Sequence, residues 1–177
     1  MTEAQAGLHA HEVALRGGRS VTVRGIRPED KDDFEAAFDR LSPGARYSRF
    51  FQPLRELPPN MLKEAVQPAA GQVVALVALA GEGDAGRIVA GARYAHAPGG
   101  KVCEFAVTVA DDWQGVGRAR HMMQELIALA RAQGLARMEG IVLPDNAGMR
   151  GLAARLGFTD TAWSEDRSLR LVSLALD

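Results

Sequence analysis

A glycine-rich turn near the middle of the chain has the residue types that suit phosphate binding. Residues 114–119 read Gln-Gly-Val-Gly-Arg-Ala and stand between an alternating apolar run and a segment of helical periodicity. Glycines let a backbone approach phosphate oxygens without Cβ clashes, and the first N–H groups of a helix lie unpaired at its positive end. The turn therefore predicts a pyrophosphate site, to which Arg118 and Arg120 can add positive charge.

The same turn has rival interpretations. Gly-x-Gly before a helix is often no more than a tight turn. A Rossmann dinucleotide site is a second rival, because Glu139 follows Gly117 by roughly 20 residues. However, Arg120 occupies the place of the third glycine, and too little chain follows for a doubly wound sheet. A P-loop is excluded because no Gly-Lys-Ser/Thr follows the glycines.

The other reactive side chains are scattered and show no metal-ligand spacing. Cys103 is a lone strand cysteine, a type that is usually a small buried hydrophobe, so we assign it a structural role. His96 near a strand end could act as a second base, while His121 lies on an exposed helix. His9 and His11 lie in the N-terminal segment and make a poor metal site. The sequence therefore predicts no metal.

The glycine-rich turn has to be held between a strand and a helix. Val102–Val109 alternates apolar and polar residues, which predicts the strand. The helix that follows carries an apolar stripe and is closed by Gly134. Beyond it, the pattern predicts a strand at 137–143, a helix capped by Asp145 or Asn146 and ended by Gly157, a short strand at 158–163 and a last strand at 168–176.

Before the turn, the pattern predicts a strand, several short helices and an antiparallel hairpin. Asp30 is expected to cap a helix that runs to about Leu41, and Ser42-Pro43 opens a second helix. Residues 81–84, Gly-Glu-Gly-Asp, have the turn chemistry of a hairpin. The remaining predicted elements are a strand at 20–26, a helix at 60–66 and hairpin strands at 73–79 and 88–96.

This element order predicts an α/β fold of mixed α+β character. A central mixed, mostly antiparallel sheet is expected, with helices on both faces. We expect a flexible N-terminal tail at residues 1–18 and one domain at residues 19–177.

The composition is that of a globular protein. Of 177 residues, 47% are hydrophobic and 24% are charged, which excludes a disordered or low-complexity chain. The formal net charge of −1 gives no overall attraction to nucleic acid or to an anionic membrane, so neither is an expected partner. A single cysteine, the lack of an apolar run near the ~20 residues of a membrane span, and the polar N-terminus predict a cytoplasmic protein.

Two parts of the chain resemble the acyl-CoA-binding motifs of GNAT acetyltransferases. They are Phe105-Ala106-Val107-Thr108-Val109 with Gln114-Gly115-Val116-Gly117-Arg118-Ala119, and Asn146 with Leu156-Gly157-Phe158. More narrowly, residues 41–51 and 104–115 are similar to the GNAT domain of bacterial protein-lysine acetyltransferases. The resemblance implies the GNAT fold, in which the sheet splays between the fourth and fifth strands, here 102–109 and 137–143.

The resemblance also implies acetyl-CoA, or another coenzyme A thioester, as co-substrate. In that family the pantetheine arm pairs like an added strand where the neighbouring strand splays away. The pyrophosphate lies on the N–H groups of the glycine-rich turn. The implied cofactor-binding residues are Val107, Thr108, Val109, Gln114, Gly115, Val116, Gly117, Arg118, Ala119, Arg120, Asn146 and Arg150.

Acyl transfer to an amine needs a proton acceptor and N–H donors for the developing oxyanion. The protein-lysine acetyltransferases have a glutamate at the position of Glu104, so the resemblance implies that Glu104 is the base, directly or through water. The N–H of Val107 is the implied oxyanion donor. Many GNAT enzymes carry a tyrosine as general acid where this chain has Ala153, so water is expected to protonate the leaving thiolate.

Two functions therefore stay open. The first is transfer of an acetyl or other short acyl group to a primary amine, of a protein lysine or of a small molecule. The second is a catalytically idle acyl-CoA-binding sensor domain, which the departure at Ala153 keeps open. The partner in either case is a small molecule or a protein, and a homodimer is common in the family.

Overall fold

The structure is a computed structural model that describes residues 8–81, 86–115 and 117–177. Its centre is one sheet of eight strands: β1 His11–Ala14, β2 Ser20–Gly25, β3 Val73–Ala80, β4 Arg87–His96, β5 Val102–Val109, β6 Arg137–Val142, β7 Thr159–Ala162 and β8 Arg170–Ala175. Their order is β1-β2-β3-β4-β5-β6-β8-β7. The β5–β6 pair is parallel, and the other pairs are antiparallel.

Helices cover both faces of this sheet. Within the described ranges there are five α-helices: α1 Lys31–Asp39, α2 Pro43–Phe50, α3 Pro59–Val66, α4 Arg118–Ala132 and α5 Ala147–Arg155. The first three pack on the face that carries Val77 and Leu79 of β3. α4 packs on the other face through side chains such as Met122 and Leu126, which are fully buried. The predicted mixed α/β architecture is confirmed. None of these five helices has both the length and the apolar character needed to cross a bilayer.

Local sequence signals fix most element boundaries. β5 has the predicted bounds. Ser42 Oγ accepts a hydrogen bond from Ala45 N–H at 3.1 Å and so caps α2. The predicted hairpin is formed by β3 and β4, which pair along their whole length. The turn residues assigned to it at 82–84 lie outside the described residues.

The N-terminal segment differs from the prediction. Residues 1–18 were expected to form a flexible tail, but His11–Ala14 forms β1 and pairs with β2, with Val13 opposite Val21. Val13 and Leu15 also pack against the main core. A four-residue strand with a single half-buried side chain is too short to show a periodic pattern, which explains why the sequence did not reveal it.

Asp30 also has a different role from the predicted helix cap. Its two carboxylate oxygens each accept a hydrogen bond from the Arg24 guanidinium at 2.7 Å, and one also accepts from Arg27 N–H at 2.8 Å. No side-chain cap is present at the start of α1. Arg24 is 3% exposed and Asp30 is 5% exposed. The carboxylate therefore neutralises a buried guanidinium and caps the short 3-10 turn at Pro28–Asp30 instead of capping α1.

We expect Asp30→Asn to lower the free energy of unfolding by about 3–5 kcal/mol, because it removes the charge that faces a buried guanidinium. Burial alone would raise the pKa of Asp30, but the hydrogen bonds from Arg24 and Arg27 outweigh it and hold the pKa below its usual value. This contribution is therefore present above the ordinary carboxyl pKa of ~3.9 and is lost as the pH falls through the lower folded value. Urea unfolding at pH 7 and at pH 3 measures both effects.

Asp160 provides the control for this substitution. It accepts hydrogen bonds from Arg150 and Arg170 at 2.7 Å, but its side chain is 25% exposed. Asp160→Asn should therefore lower stability by only about 1 kcal/mol. Equal losses for the two variants would contradict the importance of burial at Asp30.

The sheet opens between β5 and β6. Only Val102–Glu104 pairs with Arg137–Glu139, although both strands continue for several residues. The ring of Phe105 lies where the ladder ends, and a Cβ at Gly140 would approach that ring to 2.5 Å. The lack of a side chain at Gly140 therefore lets the Phe105 ring lie over β6. The predicted splay between these two strands is confirmed.

Candidate functional site

β5 presents main-chain groups to the gap in the sheet. Ala110 N–H donates to Val89 O of β4 at 2.8 Å, and the β4–β5 register is regular. In an antiparallel ladder the N–H and C=O of one residue point the same way, and the direction alternates along the strand. Val107 and Val109 therefore point their main-chain groups into the gap. In agreement, Gln114 Nε2 donates to Val109 O at 3.3 Å.

The same alternation separates Thr108 from the other two residues assigned to the pantetheine arm. Its main-chain groups face β4, where it stands opposite Gly91. Its side chain contributes to a cavity on the α1–α3 face of the sheet. The structure therefore brings Val107 and Val109, but not the backbone of Thr108, to the gap.

The glycine-rich turn leads from this gap into α4. Gly115 and Gly117 have φ values of 79° and 92°, in the left-handed region that favours glycine. A Cβ at either glycine would meet nothing within 4 Å, so the space beside the turn is open. The first intrahelical bond runs from His121 N–H to Gly117 O, which leaves the N–H groups of residues 118–120 without a helical partner. Val116 lies outside the described residues. The open turn and its free N–H groups fit an anionic group.

The Arg118 side chain does not reach toward that open space. It is 2% exposed, its guanidinium carbon lies 4.0 Å from the centre of the Trp113 ring, and it donates to Trp113 O. Burial first, and then repulsion from Arg19, lowers the pKa of Arg118 to about 10, so the group stays charged at neutral pH. Arg118 therefore braces the turn from inside. The exposed side chain of Arg120 is left to contribute positive charge outside it.

The two α5 residues assigned to the cofactor have partners within the protein. Asn146 Oδ1 accepts from Met149 N–H at 3.1 Å and caps α5, as the sequence predicted. Arg150 Nε contacts Asp160 at 2.7 Å, and its Nη1 donates to Pro144 O at 2.8 Å. These bonds fix the loop between β6 and α5. Neither bond uses Nη2 of Arg150, and the side chain is 35% exposed, so this nitrogen can still donate to a ligand.

Glu104 lines a cleft on the face of the sheet that α1–α3 cover. The alternation of the strand places it opposite to Cys103 and Phe105, and its side chain is exposed. The cleft has a volume of about 270 Å³, and its walls include Arg49 of α2, Arg93 of β4 and His96. Arg93 stands opposite Ala106 in the β4–β5 ladder, which puts it on the face of Glu104. The carboxylate of Glu104 and the guanidinium groups of Arg49 and Arg93 thus border the same cleft.

The two arginines create a site for an anion beside Glu104. Burial, followed by repulsion from Arg93, lowers the pKa of Arg49 to about 10, and Glu104 opposes the shift. Burial likewise lowers the pKa of Arg93. A negative group that enters the cleft would relieve both effects. No sequence pattern predicts Arg93 as a site residue, because only the register between β4 and β5 brings it next to Glu104.

An apolar cavity of about 110 Å³ adjoins the cleft and shares Arg49, Arg93 and Ala106 with it. Phe50 lines this cavity. Phe51, in contrast, ends α2 with a φ of 57° and is 37% exposed.

Arg46 lies on the same helix as Arg49, but its side chain turns inward. Its guanidinium donates to the backbone oxygens of Asp39, Leu54 and Arg55, and lies 4.4 Å from the centre of the Phe38 ring. Arg46 therefore holds α2 against its neighbours, and Arg49 alone of the pair reaches the cleft.

Two buried residues bear on the reaction chemistry. Cys103 is fully buried, and burial raises the pKa of its thiol to about 11, so the thiol is protonated at neutral pH. Its structural role agrees with this environment. Ala153, where many GNAT enzymes have a tyrosine, is 1% exposed in the main core. α5 therefore carries no phenol at that position.

Comparisons with known proteins agree with this arrangement. The model of the family described as "Acetyltransferase (GNAT) family" matches residues 32–158. An acetyltransferase of Pseudomonas aeruginosa is 36% identical over 163 residues, which cover 92% of this chain and 88% of that protein.

Solved structures give the same result. The GNAT domain of S. lividans PAT superposes with a TM-score of 0.85 at 26% identity, covering 94% of this chain and 96% of that one. A cAMP-binding acyltransferase from Mycobacterium smegmatis has a TM-score of 0.66 at 25% identity and matches 97% of this chain but 48% of its own. This chain thus spans about half the length of that acyltransferase.

Proposed function

This chain belongs to the GNAT family of acetyltransferases, and we propose that it transfers the acetyl group of acetyl-CoA to a primary amine of a protein lysine or a small molecule. The membership establishes an acyl-CoA-dependent N-acetyltransferase. The acceptor and the roles of individual residues belong to the proposal. One observation carries it: β5 has a gap with exposed main-chain groups on its edge and the Glu104 carboxylate on its cleft face.

We assign the gap to the pantetheine arm and the glycine-rich turn to the pyrophosphate. Val107 and Val109 offer N–H and C=O groups in the pattern of an unpaired strand edge, to which an extended amide chain can add. Gly115 and Gly117 leave open space beside the N–H groups that start α4. Acetyl-CoA supplies an acyl group activated as a thioester. The other steps are assigned to residues of this chain.

Glu104 takes the proton of the attacking amine, directly or through a water molecule in the cleft. The N–H of Val107 donates to the carbonyl oxygen as negative charge develops there. The amine nitrogen forms the new bond to the carbonyl carbon as the carbon–sulfur bond breaks. Because Ala153 cannot serve as an acid, water returns a proton to the coenzyme A sulfur.

Arg49 and Arg93 favour an acceptor that carries a carboxylate near its amine. Both guanidiniums border the cleft that holds Glu104, and both residues are half-buried. A charge-assisted hydrogen bond to a carboxylate contributes about 1.5–3 kcal/mol in such a setting. A lysine next to an aspartate or glutamate, or a small amino acid, matches this requirement.

The function is tested by acetyl-CoA turnover against a panel of amines. The panel contains lysine peptides with acidic, neutral and basic neighbours, free amino acids and simple alkylamines. We expect coenzyme A release that depends on an acceptor, together with a mass increase of one acetyl group on the amine. Tight acetyl-CoA binding without turnover on any acceptor would instead support a catalytically idle sensor.

Arg49→Gln should raise KM about tenfold for acceptors with a neighbouring carboxylate, because it removes one of two guanidiniums in the cleft. KM for a neutral peptide should change little. Arg46→Gln is the matched control, since Arg46 is one turn away and its guanidinium donates to backbone oxygens outside the cleft. If both variants alter KM equally for every peptide, the arginine cleft does not select the acceptor.

Arg120→Gln should weaken acetyl-CoA binding two- to fivefold at low salt, as expected for an exposed charge near a phosphate. The difference from the unmodified chain should shrink at 0.5 M salt, because screening is then strong. Isothermal calorimetry at two salt concentrations measures it. A difference that does not depend on salt would assign Arg120 a role other than electrostatic attraction.

A further inference from the structure

Three side chains that can bind a transition metal meet between β1 and α4. His121 and Glu125 lie four residues apart on α4 and share one face of the helix. His11 comes from β1, and its Nε2 lies 3.0 Å from Glu125 Oε1. His121 Nε2 lies 3.3 Å from Glu125 Oε2. One ligand atom from each residue lies within 4.8 Å of the other two.

We propose that His11, His121 and Glu125 bind a divalent transition-metal ion of the zinc class, with a fourth position open to water. Zinc binds histidine nitrogen and carboxylate oxygen at about 2.0–2.2 Å, so a tetrahedral site separates its ligand atoms by about 3.3–3.5 Å. Each Nε2 already lies near that distance from one oxygen of the Glu125 carboxylate, 3.0 Å from Oε1 for His11 and 3.3 Å from Oε2 for His121. Two imidazoles and one carboxylate are a ligand set of zinc, whereas magnesium and calcium prefer oxygen ligands.

The environment of the His11 ring supports a cation at Nε2. Its Nδ1 lies 3.1 Å from the backbone oxygen of His9, so Nδ1 must carry the hydrogen for that bond to form. A neutral ring then directs the Nε2 lone pair at the Glu125 carboxylate, which is also an acceptor. The contact is favourable only if a second proton or a metal ion lies between them. A backbone oxygen that fixes the far nitrogen is the usual support of a metal-binding histidine.

His121 and Glu125 give a second indication. Their Nε2 and Oε2 atoms are shielded from solvent and lie 3.3 Å apart, but neither atom has a partner with hydrogen-bond geometry among the described residues. Buried polar atoms are normally paired, because an unpaired one costs free energy. A metal ion on both atoms would satisfy them at once. The side chains of the three residues are 26–43% exposed, so an ion can enter from solvent.

The proposed ion would join the first strand of the sheet to the helix that follows the glycine-rich turn. His121 N–H donates to Gly117 O at 3.1 Å, so the site lies on the first turns of α4. α4 covers the face of the sheet opposite to the Glu104 cleft. The proposed ion therefore holds β1 against α4 and takes no part in acyl transfer.

The test is titration of the full chain, without an affinity tag, with ZnCl₂ after treatment with a chelator. Calorimetry should show one ion per chain. At a metal concentration about a hundred times Kd, the melting temperature should rise by about 5–10 °C. MgCl₂ and CaCl₂ should leave it unchanged. Co²⁺ in place of zinc should give the visible absorption of a tetrahedral site.

His11→Ala and His121→Gln should each abolish the zinc-dependent rise and the Co²⁺ absorption. His9→Ala is the control, because it removes a neighbouring imidazole but keeps the backbone oxygen that contacts His11. It should bind zinc like the unchanged chain. If one of the two histidine variants does not fold, the Co²⁺ spectrum of Glu125→Gln tests the site in its place, and it should lack the visible absorption. The proposal is overturned if zinc does not bind, if it binds equally well to these variants, or if magnesium gives the same rise; a proton on His11 would then explain the contact with Glu125.

Discussion

Glu104→Gln should lower kcat by about 10²- to 10⁴-fold and leave the affinity for acetyl-CoA nearly unchanged, as expected for loss of a positioned base. The side chain faces the cleft, whereas the main-chain groups assigned to the cofactor belong to Val107 and Val109 on the gap side. A substitution on β5 can therefore impair proton transfer without impairing cofactor binding. Steady-state kinetics with a saturating acceptor gives kcat, and calorimetry gives the Kd of acetyl-CoA.

Glu139→Gln is the matched control for this substitution. Glu139 stands opposite Glu104 in the β5–β6 ladder and is paired with Arg137 at 2.8 Å. The substitution therefore removes the same charge from the same region, but from a residue that does not line the cleft. Its kcat should stay within a few-fold of the starting value. The unchanged enzyme should become faster from pH 6 to pH 9, because an amine of pKa ~10.4 is mostly protonated at neutral pH. If Glu104→Gln has the same kcat and the same pH dependence as the unchanged enzyme, solvent and not Glu104 takes the proton of the amine.

Gly117→Glu should abolish measurable acetyl-CoA binding. A carboxylate at this position would occupy the open space beside the turn and face the pyrophosphate. Two like charges about 4 Å apart near a protein surface repel by about 4 kcal/mol, which corresponds to more than a hundredfold in affinity. Calorimetry with acetyl-CoA measures the loss, and circular dichroism checks that the fold is retained.

Gly117→Ala separates this effect from backbone strain. Any side chain at a φ of 92° is strained, so both variants share that penalty, but the alanine methyl meets nothing within 4 Å and carries no charge. We expect it to bind acetyl-CoA with a loss of less than tenfold. Should alanine and glutamate weaken binding equally, the glycine is needed for the shape of the turn and not for the approach of phosphate.

Local signals were sufficient to predict the architecture. The strand, glycine turn and helix at 102–134 have strong periodicity and clear end signals, and the structure reproduces them. The same is true of the Ser42 and Asn146 caps. The resemblance to GNAT domains was read from these segments, and the match to the domain of S. lividans PAT confirms it. The roles of Glu104 and Val107 remain predictions.

The errors concern side-chain contacts that a local sequence pattern does not reveal. Asp30 has the spacing of a helix cap, and only the fold reveals the buried guanidinium that takes its carboxylate. Arg118 has the sequence position of a phosphate ligand, but its guanidinium packs on the Trp113 ring. His11 and His121 are more than a hundred residues apart, and β1 brings them together. Such pairings depend on tertiary packing, which overrides the preference of a local segment.

The short β5–β6 ladder also bears on the order in which the chain folds. It joins two groups of strands that are separate in sequence, one within residues 11–109 and the other within residues 137–175. The hairpins β3–β4 and β4–β5 close short loops, whereas the parallel pair forms only after the whole of α4 has crossed between its strands. Contacts of low sequence separation form sooner. We therefore expect each group of strands to assemble by itself and the three-residue ladder between them to close last.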